Sequence, residues 1–98
     1  MATHLELVSI NEEQMIELTA AFLPAAPMFQ IEREQTDDGT IYASLETPQS
    51  EWAIGVISPT KDGRWCVVLT QYENYEEMIF DTPAEMVARL QRDDLAMH

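Results

Sequence analysis

The chain has 98 residues, 46% of them hydrophobic, with five Lys and Arg against 18 Asp and Glu and a formal net charge of −13. That length allows a single domain, 1–98, small enough to be only marginally stable, and the apolar share suits a packed core rather than a disordered chain. The charge excludes direct binding to nucleic acid or to an anionic membrane, and it invites cations or a basic protein partner.

In chain order, Ser9 and Asn11 are both N-cap residue types, each with Glu12 or Gln14 three positions on, so a helix starts here with a capping box in one of two registers. Met15, Leu18, Thr19 and Phe22 share one face of it, and Pro24 and Pro27 stop it. From Met28 the period changes to two: Phe29, Ile31 and Arg33 alternate with Gln30, Glu32 and Glu34. After the turn, Ile41, Ala43 and Leu45 alternate with Tyr42, Ser44 and Glu46. The apolar faces agree if Asp37-Asp38-Gly39 forms a three-residue loop, which pairs Thr36 with Thr40, Arg33 with Ala43 and Ile31 with Leu45.

Lys61-Asp62-Gly63 repeats this turn chemistry between expected strands Trp52–Ser58 and Arg64–Tyr72, with Gly55 opposite Leu69. Both faces of this hairpin are apolar, with Ala53, Ile57, Trp65, Val67 and Leu69 on one and Trp52, Ile54, Val56, Cys66 and Val68 on the other. It is therefore expected at the centre of the sheet. A short fifth strand, Glu77–Phe80, precedes Thr82-Pro83-Ala84-Glu85, a complete helix start whose helix runs to about Arg92 and buries Met86, Val87 and Leu90. The predicted fold is α+β: an antiparallel meander of about five strands flanked by an N-terminal and a C-terminal helix.

Enzyme signatures are missing. Glycines at 39, 55 and 63 build no phosphate loop, His4 and His98 lie in terminal segments, and Cys66 alternates onto an apolar strand face. No apolar run reaches the roughly 18 residues of a membrane span, the start of the chain lacks a signal-peptide plan, and the single cysteine forms no internal disulfide, so a cytoplasmic setting is expected.

The acids concentrate in two places: Asp37-Asp38 with Glu34 just before, and Glu73-Asn74-Tyr75-Glu76-Glu77 continuing to Asp81 and Glu85. Calcium suits such groups, because it takes six to eight oxygens in loose geometry. An EF-hand is excluded: alignment on Gly39 puts Leu45, and alignment on Gly63 puts Leu69, where the bidentate Glu belongs. Any calcium site is then assembled from loops that the fold brings together. A meander puts the 37–39 and 61–63 turns at one end of the sheet and the 47–51 and 73–76 connections at the other. Two metal-binding clusters are predicted, Asp37 and Asp38 joined by Asp81, and Glu73, Glu76 and Glu77 joined by Glu46 or Glu51.

Size, charge, layout and the carboxylates at Asp37-Asp38 and Glu76-Glu77 together resemble the small acidic, non-EF-hand calcium-binding proteins of filamentous cyanobacteria, the CcbP-like family. The resemblance implies a cytoplasmic protein that holds Ca2+ on an acidic surface and lowers the free ion in cells that differentiate into heterocysts. The rival reading is an acidic interaction module that docks on a basic partner, as nucleic-acid mimics, anti-CRISPR proteins and immunity proteins do, with Trp52 or Trp65 as an interface anchor. A secretion-chaperone-like dimer also fits the acidity and the sheet, and the sequence leaves the oligomeric state open.

Overall fold

The computed structural model describes residues 8–26, 28–48, 50–70 and 76–92. Helix α1 (Glu12–Phe22) is followed by a 3-10 turn (Leu23–Ala25), then strands β1 (Gln30–Gln35), β2 (Ile41–Glu46), β3 (Gly55–Pro59), β4 (Trp65–Leu69) and β5 (Glu76–Phe80), and helix α2 (Pro83–Arg92). All five strands form one antiparallel sheet in the order β1-β2-β3-β4-β5. This is the predicted α+β meander with a helix on each side of it in the chain.

Of the two capping registers, the protein uses Asn11. Its Oδ1 accepts from the Gln14 N–H at 2.8 Å, and Gln14 Oε1 accepts from the Asn11 N–H at 2.9 Å, so two orphan donors of the first turn are satisfied reciprocally. Ser9 has another task. Its hydroxyl accepts from the Ile41 N–H at 3.0 Å, and the Ile10 N–H donates to the Ile41 carbonyl at 2.9 Å. These bonds pin the approach to α1 onto β2, whose ladder with β3 runs over Ala43–Leu45. Carried two residues further, that ladder would meet Pro59, which has no N–H to give. At the other end, the Thr82 hydroxyl accepts from the Glu85 N–H at 3.2 Å and caps α2 as predicted.

The first hairpin has the derived register, Arg33 opposite Ala43 and Ile31 opposite Leu45, and in the second Gly55 pairs with Leu69. Strand alternation sends Leu45, Ile57, Val67 and Leu69 to one face, where they meet Leu18 and Phe22 of α1 and Met86 and Leu90 of α2 in one buried cluster. Full burial of an aliphatic side chain contributes roughly 1.5–3 kcal/mol, so this face dominates stability.

The second hairpin is shorter than the alternation suggests. β3 begins at Gly55, leaving Trp52 outside it and 77% exposed, whereas Trp65 is buried. The cause is a local doubling of residues. The Ile54 N–H donates to the Leu45 carbonyl at 2.7 Å although Leu45 pairs with Gly55 in the ladder, so two residues of one strand face one of the other, as in a β-bulge. The slip turns Ile54 from the face predicted for it into the core, where it is 1% exposed. Gly55 accommodates this crowding, since a Cβ there would stand 3.0 Å from the Val68 carbonyl oxygen.

Candidate metal centre

The opposite face of the sheet carries neither helix, although Ser44, Ser58 and Cys66 on it are buried. One row crosses all five strands on it: Glu32 pairs with Ser44, Ser44 with Val56, Val56 with Val68, and Val68 with Glu77. The acids collect at the β1–β2 end of that row. Ser44 lies directly opposite Glu32, Glu46 stands two residues further along β2, and Glu34 two residues further along β1. Strand pleating therefore turns all four side chains the same way. Carboxylate oxygens of Glu32, Glu34 and Glu46 lie within 4.8 Å of one another. The Ser44 hydroxyl, in a residue only 5% exposed, sits 3.4 Å from Glu34 Oε2 and 3.3 Å from Glu46 Oε2.

The electrostatics follow from that geometry. The negative charge of Glu46, then that of Glu34, pushes the Glu32 carboxyl above the ordinary carboxylate range, and its hydrogen bond with Glu46 adds to the rise. Three hard oxygen donors with no nitrogen or sulfur among them suit calcium or magnesium rather than zinc.

The acids chosen from the sequence are arranged differently. Asp38 is engaged in its own turn: its Oδ1 accepts from the Thr36 hydroxyl, from the Thr40 hydroxyl at 2.9 Å and from the Thr40 N–H at 3.2 Å. Those bonds hold its carboxyl below the usual range, with the Thr36 bond foremost. Asp37 is exposed beside it. Asp81 follows β5 and comes close enough to Arg64 to favour the guanidinium charge. It does not join Asp37 and Asp38, because three strand spacings, roughly 14 Å, separate β2 from β5. Glu77 lies on the same face as Cys66 and, after burial, is the next influence raising the Cys66 thiol to about 11. Glu76 opens β5 opposite Leu69. Glu73 lies outside the described residues.

The second hairpin repeats the first turn in detail. Asp62 Oδ1 accepts from the Thr60 hydroxyl at 2.5 Å, and Arg64 Nε donates to both oxygens of Asp62 at 3.1 and 3.2 Å. The Arg64 bond, then the Thr60 bond, lowers the Asp62 carboxyl to about 2. Gly39 and Gly63 carry φ of 92° and 88°, the left-handed conformation that the three-residue loop requires.

Sequence reasoning placed Glu34 beside Asp37-Asp38 and offered Glu46 to the Glu73, Glu76 and Glu77 cluster. It passed over Glu32, which follows Ile31 on an alternating strand. The structure instead groups Glu34 and Glu46 with Glu32. The signal was nevertheless present. The derived register that sets Arg33 against Ala43 also sets Glu32 against Ser44, with Glu34 and Glu46 on either side. No family model, characterised protein or solved structure matches this chain.

Proposed function

We propose that the protein is a small, non-enzymatic calcium-binding protein of the cytoplasm, with Glu32, Glu34 and Glu46 as its carboxylate ligands and the Ser44 hydroxyl placed to donate to either Glu34 or Glu46. The observation that carries this reading is the convergence of three carboxylates on the sheet face away from the helices, close enough to raise the Glu32 pKa. Mutual repulsion of this kind costs the folded state free energy, and a divalent cation removes that cost while it binds. Calcium fits better than magnesium, because it accepts six to eight oxygens in loose geometry, whereas magnesium demands a strict octahedron.

The test is a thermal melt in calcium, magnesium and chelator at matched ionic strength, on the native chain and on Glu32→Gln/Glu34→Gln/Glu46→Gln. Binding to the native state alone stabilises by RT ln(1 + [L]/Kd), so calcium at about 100 times Kd adds about 2.7 kcal/mol. For a chain of this size that amounts to several degrees. The triple variant is expected to melt higher than the native chain in chelator and to lose the calcium response. Equal shifts with calcium and magnesium in the native chain would reduce the effect to charge screening and end the reading.

A further inference from the structure

Helix α1 is apolar on two sides. Leu18 and Phe22 are buried against the sheet and α2, and Met15 and Ala21 pack partly against the same core. On the other side Ile16 and Leu23 are 65% and 71% exposed, with the exposed Ala20 between them. The spacing i, i+4, i+7 places the three on one stripe, turned away from Leu18. An open groove of about 350 Å³ runs along it, lined by Met15, Ile16, Thr19, Ala20 and Leu23. A second, lined in part by Glu12, Met15 and Ile16, continues towards the start of the helix and ends at Arg33. Helix α2 provides the contrast: Pro83, Met86, Val87 and Leu90 are buried, and its outer positions Ala84, Glu85, Ala88, Gln91 and Arg92 include no large apolar side chain.

The charges that α1 itself carries along the stripe are of one sign, with Arg33 of β1 at the far end of the groove. Glu12, Glu13 and Glu17 are all exposed, and α1 contains no Lys or Arg. We infer that α1 is a docking surface for a basic amphipathic helix of a partner protein, whose apolar anchors lie on Ile16, Ala20 and Leu23 and whose Lys or Arg side chains meet Glu12, Glu13 and Glu17. Ala20 leaves room for close approach between two larger side chains, the arrangement by which an amphipathic helix is read at its i, i+3, i+4 and i+7 positions. Charge argues against a second copy of this chain as the occupant. Self-association through α1 would set the acidic edges of two chains of charge −13 against each other. The stripe lies on the helix side of the sheet, away from Glu32, Glu34 and Glu46, so this inference is independent of calcium binding.

The experiment is fluorescence anisotropy of a labelled synthetic Leu/Lys peptide, an amphipathic helix of about three turns, titrated with the full chain in chelator. Saturable binding is expected, weakened about tenfold or more by Ile16→Ser/Leu23→Ser. Glu12→Gln/Glu13→Gln/Glu17→Gln should weaken it several-fold and flatten its salt dependence, while Glu32→Gln/Glu34→Gln/Glu46→Gln leaves it unchanged. Ile16 and Leu23 are exposed, so unchanged melting of the double variant verifies folding. No binding, or equal binding by the Ile16→Ser/Leu23→Ser variant, overturns the inference. So does a concentration-dependent dimer in sedimentation that the same two substitutions abolish, because the stripe is then a self-interface.

Discussion

Asp38 and Glu32 belong to the same hairpin, and their carboxyls are pushed in opposite directions. Asp38 stands in the turn, where the hydroxyls of Thr36 and Thr40 and the Thr40 N–H all donate to it. Glu32 stands on the strand, where its neighbours are Glu46 and Glu34. Three donors stabilise the first charge, and two like charges oppose the second. The difference teaches where a cation finds work. A carboxylate already surrounded by donors gains little from a metal and must break bonds to reach one, whereas a crowded set of carboxylates gains at once.

Three measurements sharpen or break this contrast. The largest effect is expected from the backbone of the turn. Gly39→Val forces a β-branched residue to a φ of 92°, and should cost about 1–2 kcal/mol in urea unfolding. Gly63→Val should match it, since an added Cβ there meets nothing within 4 Å and the cost comes from φ alone. Neither change should alter calcium affinity in the folded protein, and a loss of affinity in Gly39→Val would tie the turn to the site.

A smaller effect, opposite in sign for the two residues, is expected from single neutralisations. Asp38→Asn keeps the shape of the side chain but weakens three bonds, so the melting temperature falls and the calcium response survives. Glu32→Gln removes one of three repelling charges, so the melting temperature in chelator rises and the calcium response shrinks. Differential scanning calorimetry with and without calcium reads both. A shared sign would show that the turn and the strand face are not electrostatically distinct.

The smallest effect is in the pH profile, because all of these groups face water and are screened. A folded pKa below the unfolded one gives stability that is present above the unfolded value and lost as pH falls through the folded one. For Asp62 that loss runs from about pH 4 down towards about 2, and Asp38 follows the same direction. Glu32 has the opposite sign: its raised folded pKa means that stability rises as pH falls through it, because protonation ends the repulsion. Melts in chelator from neutral pH downward should therefore show, above the Asp62 window, an acid-side gain in the native chain that is missing from Glu32→Gln. They should also show a low-pH loss that is reduced in Asp62→Asn.

Much of the fold was legible because its signals are local. Period-two alternation and the Asp-Gly turns define the first hairpin to the residue, and Thr82-Pro83-Ala84-Glu85 announces α2. The predicted Trp52–Ser58 strand failed at its start because alternation assumes an unbroken ladder, and the doubling of Ile54 and Gly55 opposite Leu45 breaks it. The Asn11 cap was one of two equal candidates until Ser9 was taken by β2.

The sequence by itself determined the charge of the molecule, its five-strand order and the register that carries Glu32 opposite Ser44. Those follow from composition, from the two periodicities and from turn chemistry, all of which act over a few residues. Tertiary structure alone decided which acids meet and which are spent. Asp37-Asp38 is dense in sequence, yet Asp38 is held by threonines and Asp81 is drawn to Arg64, three strands away from it. Glu32, Glu34 and Glu46 come from two strands and converge because pleating turns them to one face that the helices leave open. Charge density along a chain measures how many carboxylates are near one another in sequence. Only the packing of strands sets how near their oxygens are in space, and both repulsion and cation binding depend on that distance.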